Sequence, residues 1–208
     1  MSEFSQNYDG EHFGTGYSRA KDSIIKLNLL DGDEVDAFFE KECPKYVIHS
    51  AAERRPDVSE KDPDGTWSLN VNSTQHLARL CKKYGSWLLY LSTDYVFDGT
   101  SPPYQPGDTP NPLNLYGKSK LAGEEAIQEI FDNYCILRVP ILYGEVEALE
   151  ESAVTAIALD LRKNPIPSQD DWATRYPTHV DDVALVCRQM VEQRSIEEGF
   201  RGIFQWSG

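Results

Sequence analysis

Four short apolar runs, separated by longer helical patterns, constrain this sequence more than any other feature. Each run has the length and composition of a strand that is buried on both faces. The runs are YVIHSAA at 46–52, WLLYL at 87–91, YCILRV at 134–139 and GIFQW at 202–206. Strands that alternate with helices of ten or more residues are typical of a parallel sheet with helices on both faces. The sequence therefore predicts an α/β fold with a doubly wound parallel sheet.

The segments between these runs predict helices with identifiable first residues. We expect helices at 33–41, 64–84, 114–131, 152–162 and 180–194, and two short extended pieces at 12–17 and 23–29. Asp31 or Asp33 is available to cap the first helix, and Thr178 begins a Thr-x-x-Asp capping box for the last. In the long helix, four apolar residues predict one buried stripe: Trp67, Val71, Leu77 and Leu80.

Charge and composition exclude several classes of function. The chain has 34 acidic and 20 basic residues, a net charge of −14, which argues against binding nucleic acids or anionic membranes. No apolar run approaches the roughly 20 residues that span a bilayer, and the N-terminus lacks the features of a secretory signal. The four cysteines form no CxxC pair, and the four histidines show no metal-ligand spacing. We therefore expect a cytoplasmic protein with reduced thiols and no metal.

The motif YGKSK at 116–120 is the first signal of chemistry. Tyr116 and Lys120 are four positions apart, so on a helix they share a face. The ammonium is then expected to lower the pKa of the phenol, which would donate a proton to a carbonyl oxygen as hydride arrives. By itself the pattern also fits a surface helix on which both side chains are solvated.

The motif STDYVFDG at 92–99 follows a predicted buried strand, at the end where α/β sheets bind ligands. A hydroxyl of Thr93 at that position can hydrogen-bond the same carbonyl that Tyr116 would protonate. The alternative is that Ser92 and Thr93 only terminate the strand.

Together, STDYVFDG and the later PLNLYGKSKLAGE at 112–124 resemble the extended short-chain dehydrogenase/reductase family, in particular its dTDP-4-dehydrorhamnose reductase branch. The resemblance implies a Rossmann-like sheet that binds NADP or NAD, and a catalytic trio of Thr93, Tyr116 and Lys120.

Within that branch, further segments resemble the group of methionine adenosyltransferase beta subunits. They are HSAAERRPDV at 49–58, RVPILYGEVE at 138–147, EESAVT at 150–155, RYPTHVDDV at 175–183 and GIFQWSG at 202–208. This resemblance implies a non-catalytic regulatory subunit that binds NADP. It also implies a hetero-oligomer with the methionine adenosyltransferase catalytic subunit, which makes S-adenosylmethionine.

The resemblance also implies a set of cofactor-binding residues. Tyr17, Ser18 and Arg19 would lie near the 2′-phosphate of NADP, and Asn28 and Leu29 near the adenine. Ser50 and Arg54 would lie near the pyrophosphate and ribose, Tyr116 and Lys120 at the nicotinamide ribose, and Leu142 near the nicotinamide.

One family feature is missing from this sequence. The family opens with a strand and a GxxGxxG turn that binds the pyrophosphate, whereas Gly14 and Gly16 fall where the second strand belongs. We therefore expect an incomplete Rossmann-like domain at 12–208 after a polar leader at 1–11, with 140–180 contributing to a small substrate-side lobe. The family also continues past the point where this chain ends. We expect weak or lost NADP binding, and strands on either side of the missing one without their shared neighbour.

Three functions remain open at this point. The leading one is a regulatory subunit of methionine adenosyltransferase. The alternative is an NADP-dependent sugar-nucleotide reductase of the dTDP-4-dehydrorhamnose reductase type, since the trio is present. The third is an inert fragment.

Overall fold

The computed structural model of the chain describes residues 12–18, 20–168 and 174–208, whose strands form three parallel sheets. The central sheet has the order β3 (Tyr46–His49), β4 (Trp87–Thr93), β5 (Tyr134–Val139) and β8 (Gly202–Gln205). Two smaller sheets are pairs: β1 (Gly14–Gly16) with β2 (Ile24–Lys26), and β6 (Leu142–Tyr143) with β7 (Thr178–His179). The predicted α/β fold with a parallel sheet is thus confirmed.

Helices connect these strands within the described residues. They are α1 (Gly32–Glu42), α2 (Pro56–Lys61), α3 (Pro63–Trp67), α4 (Ser73–Tyr84), α5 (Leu115–Ile130), α6 (Ala153–Asp160) and α7 (Val180–Ile196). A π-helix at Ser68–Asn72 joins α3 to α4, and single 3-10 turns lie at Asp94–Val96 and Leu149–Glu151. None of the described helices is both long and apolar enough to cross a bilayer.

The two faces of the central sheet bury separate hydrophobic cores. Successive side chains of a strand point to opposite faces, so Leu88 and Tyr90 of β4 join a core with α1 and α4, while Trp87 and Leu89 join a core with α7. All four of these side chains are at most 1% exposed. Burial on both faces explains why the strand sequences are continuously apolar.

Several helices begin at polar residues that cap them. Asp31 Oδ1 accepts from Glu34 N at the start of α1, and Asn114 Oδ1 accepts from Gly117 N at the start of α5. Ser152 Oγ accepts from Val154 N at the start of α6. Of the two residues expected to cap α1, Asp31 is the cap, because its short polar side chain satisfies a free N–H group of the first turn.

The predicted helix at 64–84 is not continuous. The π-helix interrupts it, and its wider turn changes which side chains face the core on either side of the interruption. As a result Trp67 is 42% exposed, whereas Val71, Leu77 and Leu80 are buried. The expectation of a single stripe that includes Trp67 is wrong for this reason.

The expected cap of the last helix is also wrong. The helix begins at Val180 as predicted, but Thr178 pairs with Leu142 in the small parallel sheet and lies two positions before it. His179 caps α7 instead, and its Nδ1 accepts from Asp181 N at 3.2 Å.

The β1–β2 pair and the central sheet are separate. In the described part of the chain, no strand pairing joins β1 or β2 to β3, so β3 pairs with β4 alone. The expectation that strands flanking the missing family strand lack their shared neighbour stays a prediction. Residues 1–11 lie outside the described residues, and the domain boundaries stay a prediction.

Candidate functional site

The predicted trio assembles where β4 ends and α5 begins. Thr93 is the last residue of β4 and is 5% exposed, and its Oγ1 accepts from Tyr95 N at 3.2 Å. Tyr116 lies in the first turn of α5, with its ring 5.8 Å from that of Tyr95 in an edge-to-face contact. Thr93 also lies close enough to the phenol of Tyr116 to lower its pKa. The two elements thus bring Thr93 and Tyr116 together although they are 23 positions apart.

Two glycines of α5 permit this close approach. A Cβ on Gly117 would lie 2.3 Å from the backbone oxygen of Tyr95, and a Cβ on Gly123 would lie 2.5 Å from the hydroxyl of Tyr90. Contacts this short exclude any side chain. The helix can therefore lie directly against the end of β4 only because glycine occupies both positions.

Lys120 lies one turn after Tyr116 and is only 2% exposed. Its Nζ is 3.9 Å from the centre of the Tyr90 ring, a cation–π contact. Burial lowers the pKa of Lys120 to about 7, and the nearby carboxylate of Glu124 opposes this shift. The side chain is therefore a buried amine that is partly neutral near pH 7.

The pKa of the phenol is shifted in the direction opposite to the one expected. Burial raises the pKa of Tyr116 to about 12; the hydrogen bond with Thr93 and the charge of Arg54 lower it, while Asp94 raises it. Lys120 is not among these groups, because its Nζ faces Tyr90 instead. Tyr116 is therefore fully protonated near pH 7, so it can donate a hydrogen bond but is not poised to ionise.

Asn70, in the π-helix, connects the loop after β3 to α5. Its Nδ2 donates to the oxygen of Glu53 and to Ser119 Oγ, both at 2.9 Å, and its Oδ1 accepts from Glu53 N at 2.8 Å. Asn70 is completely buried. These bonds fix the loop that carries Arg54. Sequence reasoning missed this residue because a helix interrupted by a π-turn has no simple pattern.

A buried ion pair lies beneath the trio. Arg138 of β5 binds Glu124 of α5, with NH2 to Oε2 at 2.6 Å and Nε to Oε1 at 3.0 Å. Ser92 Oγ also donates to Glu124, and Arg138 NH1 donates to the oxygen of Pro106 at 3.2 Å. Both charged side chains are at most 2% exposed. An arginine within the apolar run YCILRV was the signal that could have predicted this pair, since a buried charge needs a partner.

Pro106 belongs to a loop at 98–112 that is held over the same end of the sheet. Asp98 accepts from the hydroxyl of Tyr104 at 2.6 Å and from Asn111 Nδ2 at 2.8 Å, and these bonds hold the pKa of Asp98 well below its usual range. The ring of Tyr104 stacks on Phe97 at 4.3 Å. The loop is thus an ordered wall beside the trio.

Arg175, shortly before β7 in the chain, also lies close to the trio. Its NH1 donates to the hydroxyl of Tyr95 at 2.7 Å, and its charge lowers the pKa of Asp94, although burial raises that pKa overall. Arg175 and Arg54 both act on this cluster, so basic groups converge here in a strongly acidic chain. Neither residue was expected to contact the trio from its spacing alone.

Of the two residues expected near the pyrophosphate and ribose, Arg54 acts on the trio. Ser50 directly follows β3 and is exposed, as is Arg54. The charge of Arg54 acts on the phenol of Tyr116, so these two groups are near each other. Tyr116, Lys120 and Arg54 are the described side chains that could contact the ribose and phosphate of a nucleotide.

The other expected cofactor residues do not contact the trio in the structure. Tyr17 and Ser18 follow β1 and are exposed, and Lys26 Nζ lies 5.5 Å from the centre of the Tyr17 ring. Arg19 lies outside the described residues. Asn28 Oδ1 accepts from Leu30 N. Leu29 and Leu142 pack against the two hydrophobic cores.

Comparison with known proteins places the chain among relatives of two kinds. Methionine adenosyltransferase 2 subunit beta of Bos taurus is 48% identical over 207 residues, which cover 99% of this chain and 62% of that protein. The dTDP-4-dehydrorhamnose reductase of Salmonella typhimurium is 39% identical over 102 residues, 49% of this chain and 34% of that protein. The chain thus spans about three fifths of the length of the beta subunits it matches.

Solved structures agree on the fold. The crystal structure of dTDP-4-dehydrorhamnose reductase from Bacillus anthracis in complex with NADP superposes with a TM-score of 0.72 at 26% identity, covering 88% of this chain and 62% of that one. The model of the RmlD substrate binding domain family matches residues 4–208. The position of Thr93, Tyr116 and Lys120 at the end of a parallel sheet fits this match. The chain therefore belongs to the RmlD substrate binding domain family.

Proposed function

We propose that this protein is a non-catalytic regulatory subunit that binds the catalytic subunit of methionine adenosyltransferase. The observation that carries the proposal is the 48% identity, spread over 99% of the chain, to proteins named methionine adenosyltransferase 2 subunit beta. Identity to the Salmonella reductase is lower and extends over only 49% of the chain. Four unpaired cysteines, three of them buried, fit the cytoplasmic location that the proposal includes.

The trio supports binding better than turnover. A general acid works best when its pKa lies near the working pH, yet burial raises the pKa of Tyr116 to about 12. A phenol and a buried amine can nevertheless hold a ligand by hydrogen bonds. A binding protein therefore has a use for Thr93, Tyr116 and Lys120 without a chemical step.

The proposal includes a nucleotide cofactor, NADP, bound weakly. The ribose end of such a molecule fits this chain: the Nζ of Lys120 has no hydrogen-bond partner among the described residues, and Arg54 is exposed beside Tyr116. The phosphate end fits less well, because the sequence has no GxxGxxG turn to donate backbone N–H groups. When bound, NADP would supply hydride chemistry; here we assign it a structural role.

Titration calorimetry of the chain with the catalytic subunit, with and without NADPH, tests the proposal. We expect binding, and a changed rate of S-adenosylmethionine synthesis by the catalytic subunit. The matched variant is Tyr116→Phe, which keeps the ring and removes the hydroxyl. In a regulator it should leave binding to the catalytic subunit without NADPH intact. Absence of binding to the catalytic subunit under either condition would reject the proposal.

The second candidate is an NADP-dependent reductase of sugar nucleotides. The observation in its favour is that Thr93 lies beside the phenol of Tyr116, with Lys120 one turn away. Oxidation of NADPH in the presence of dTDP-4-dehydrorhamnose, followed at 340 nm, is the test. Turnover that disappears in Tyr116→Phe would establish this function instead of the regulatory one.

A further inference from the structure

The amine of Lys120 is enclosed between α5 and β4 without an oxygen or nitrogen that accepts its protons. The side chain is 2% exposed, and its Nζ lies 3.9 Å from the centre of the Tyr90 ring. An ammonium group has three N–H donors. The face of one ring attracts the positive charge but does not replace three hydrogen-bond acceptors. Within the described residues, the charged form of Lys120 therefore lacks the partners that a buried charge needs.

The carboxylate one turn after Lys120 is already occupied. Both oxygens of Glu124 accept from Arg138, at 2.6–3.3 Å, and Ser92 Oγ donates to one of them. The charge of Glu124 opposes the effect of burial on the pKa of Lys120. Because Arg138 neutralises that charge at close range, Glu124 does not serve as a full counterion for Lys120.

The other groups around Lys120 do not replace this counterion. Thr74 Oγ1 donates to the backbone oxygen of Asn70, so His49 Nε2, 2.8 Å from Thr74 Oγ1, is the donor in their contact. Burial and the charge of Lys120 lower the pKa of His49 to about 3, which leaves the ring neutral near pH 7. The titratable and charged groups that interact with Lys120, or with the phenols of Tyr90 and Tyr116, are His49 of β3, Glu124 of α5, Arg54 of the loop after β3, and Asp94 and Tyr95 of the turn after β4.

We propose that a ligand bound at the trio supplies the oxygen acceptors that Lys120 lacks, and that its binding adds a proton to the Lys120 amine. The ligand class is a polyol that carries phosphate, such as the ribose and phosphate groups of a nucleotide. Exposed Arg54 beside Tyr116 is available for the phosphate. The lone pair of Nζ accepts the proton from solvent, and no bond of the ligand changes. This inference rests on the NADP binding in the proposed function.

Binding should therefore depend on pH. Lys120 has a pKa of about 7 in the free chain, and nearby anionic oxygens raise the pKa of an amine. Above pH 7 the amine is mostly neutral before binding and charged afterwards. Affinity should accordingly fall by roughly tenfold between pH 7 and 9. His49 and Tyr116, with pKa values of about 3 and about 12, do not titrate in this range.

Titration calorimetry with NADPH at pH 8, in HEPES and in Tris, measures the proton directly. The two buffers differ in ionisation enthalpy, so the difference between the binding heats gives the number of protons taken up. We expect about 0.5–1 proton per NADPH bound. The phosphate monoester of NADPH does not contribute, because its second pKa is near 6 and it is fully ionised at pH 8.

Two lysine variants of α5 assign the proton to a residue. Lys120→Met removes the buried amine, and should bind NADPH without proton uptake and with an affinity that changes less than about twofold between pH 7 and 9. The matched control is Lys118→Met, which removes an exposed lysine of the same helix and should keep the full proton uptake. Thermal unfolding checks that both variants are folded.

The outcomes separate this inference from the regulatory function. Equal heats in the two buffers, proton uptake that persists in Lys120→Met, or no binding of NADPH at millimolar concentration would each overturn the inference. A chain that binds the catalytic subunit but shows one of these results keeps its regulatory function. Proton uptake that disappears only in Lys120→Met supports the inference, even in a chain that does not bind the catalytic subunit.

Discussion

Helices α5 and α6 reverse the usual relation between composition and burial. Helix α5 contains Lys120 and Glu124, both at most 2% exposed. Helix α6 is almost entirely apolar and has no buried residue. The difference lies in what packs against each helix. Because α5 crosses the centre of the four-stranded sheet, its polar residues are enclosed, whereas the main contacts of α6 within the described residues are with β6 and a short 3-10 turn.

The comparison teaches that sequence hydropathy measures a preference for burial, not its occurrence. Buried charges persist in α5 because each has a partner: Arg138 for Glu124, and the Tyr90 ring for Lys120. Around α6 the apolar surface is available for another contact instead. We therefore expect substitutions of the buried residues packed against α5 to lower stability strongly, and substitutions on the exposed face of α6 to change it little.

The largest effect is expected when the ion pair under α5 is broken. Arg138→Met leaves the buried carboxylate of Glu124 without its counterion, and should lower the free energy of unfolding by about 3–5 kcal/mol. Urea denaturation measures the loss. The double variant Glu124→Leu/Arg138→Met removes both charges and should recover most of it. A double variant as unstable as the single one would mean that packing, not charge pairing, is what Arg138 contributes.

Urea denaturation should also distinguish a core residue of β4 from an exposed residue of α6. Leu89 is completely buried in β4, so Leu89→Ala should cost about 2–5 kcal/mol through lost burial and a cavity. Ile157→Ala on α6 should change the free energy of unfolding by less than about 0.5 kcal/mol at concentrations where the chain is monomeric. Similar losses at the two sites would show that α6 is covered in solution by part of the same molecule.

Lys120 should make stability depend on pH. Its pKa is about 7 in the folded chain and 10.5 when unfolded, so the unfolded state binds more protons between pH 7 and 10.5, and stability rises with pH there. Lys120→Met removes the buried amine. It should raise the free energy of unfolding on the order of 3 kcal/mol at pH 7. This gain should shrink towards zero near pH 10.5. A difference that is independent of pH would contradict the lowered pKa.

The smallest effect is expected at the start of α5. Asn114→Ala removes the acceptor for Gly117 N and should cost about 1 kcal/mol, while Asn114→Asp should be nearly neutral, since Asp caps equally well. Thermal unfolding of the two variants in parallel measures the difference. An Asp variant as unstable as the Ala variant would show that the amide group of Asn114 has a further role.

The sequence by itself determined the strands of the central sheet, the start of the first helix at Asp31 or Asp33, and the placement of Thr93 and Tyr116 at one end of the sheet. These features depend on local propensity, on apolar runs, and on the rule that parallel strands present their carboxyl ends at one edge. The family resemblance rested on motifs of contiguous residues, which a sequence displays directly.

Only the tertiary structure decided the burial and charge state of the site. The raised pKa of Tyr116 and the lowered pKa of Lys120 arise from enclosure by β4 and α5. The contact of Arg138 with Glu124 and Pro106 joins residues 14 and 32 positions apart. The π-turn that exposes Trp67, and the strand pairing that displaces the cap of α7, are likewise set by neighbours distant in sequence. Local patterns record what each segment prefers, but desolvation and pairing depend on which segments meet.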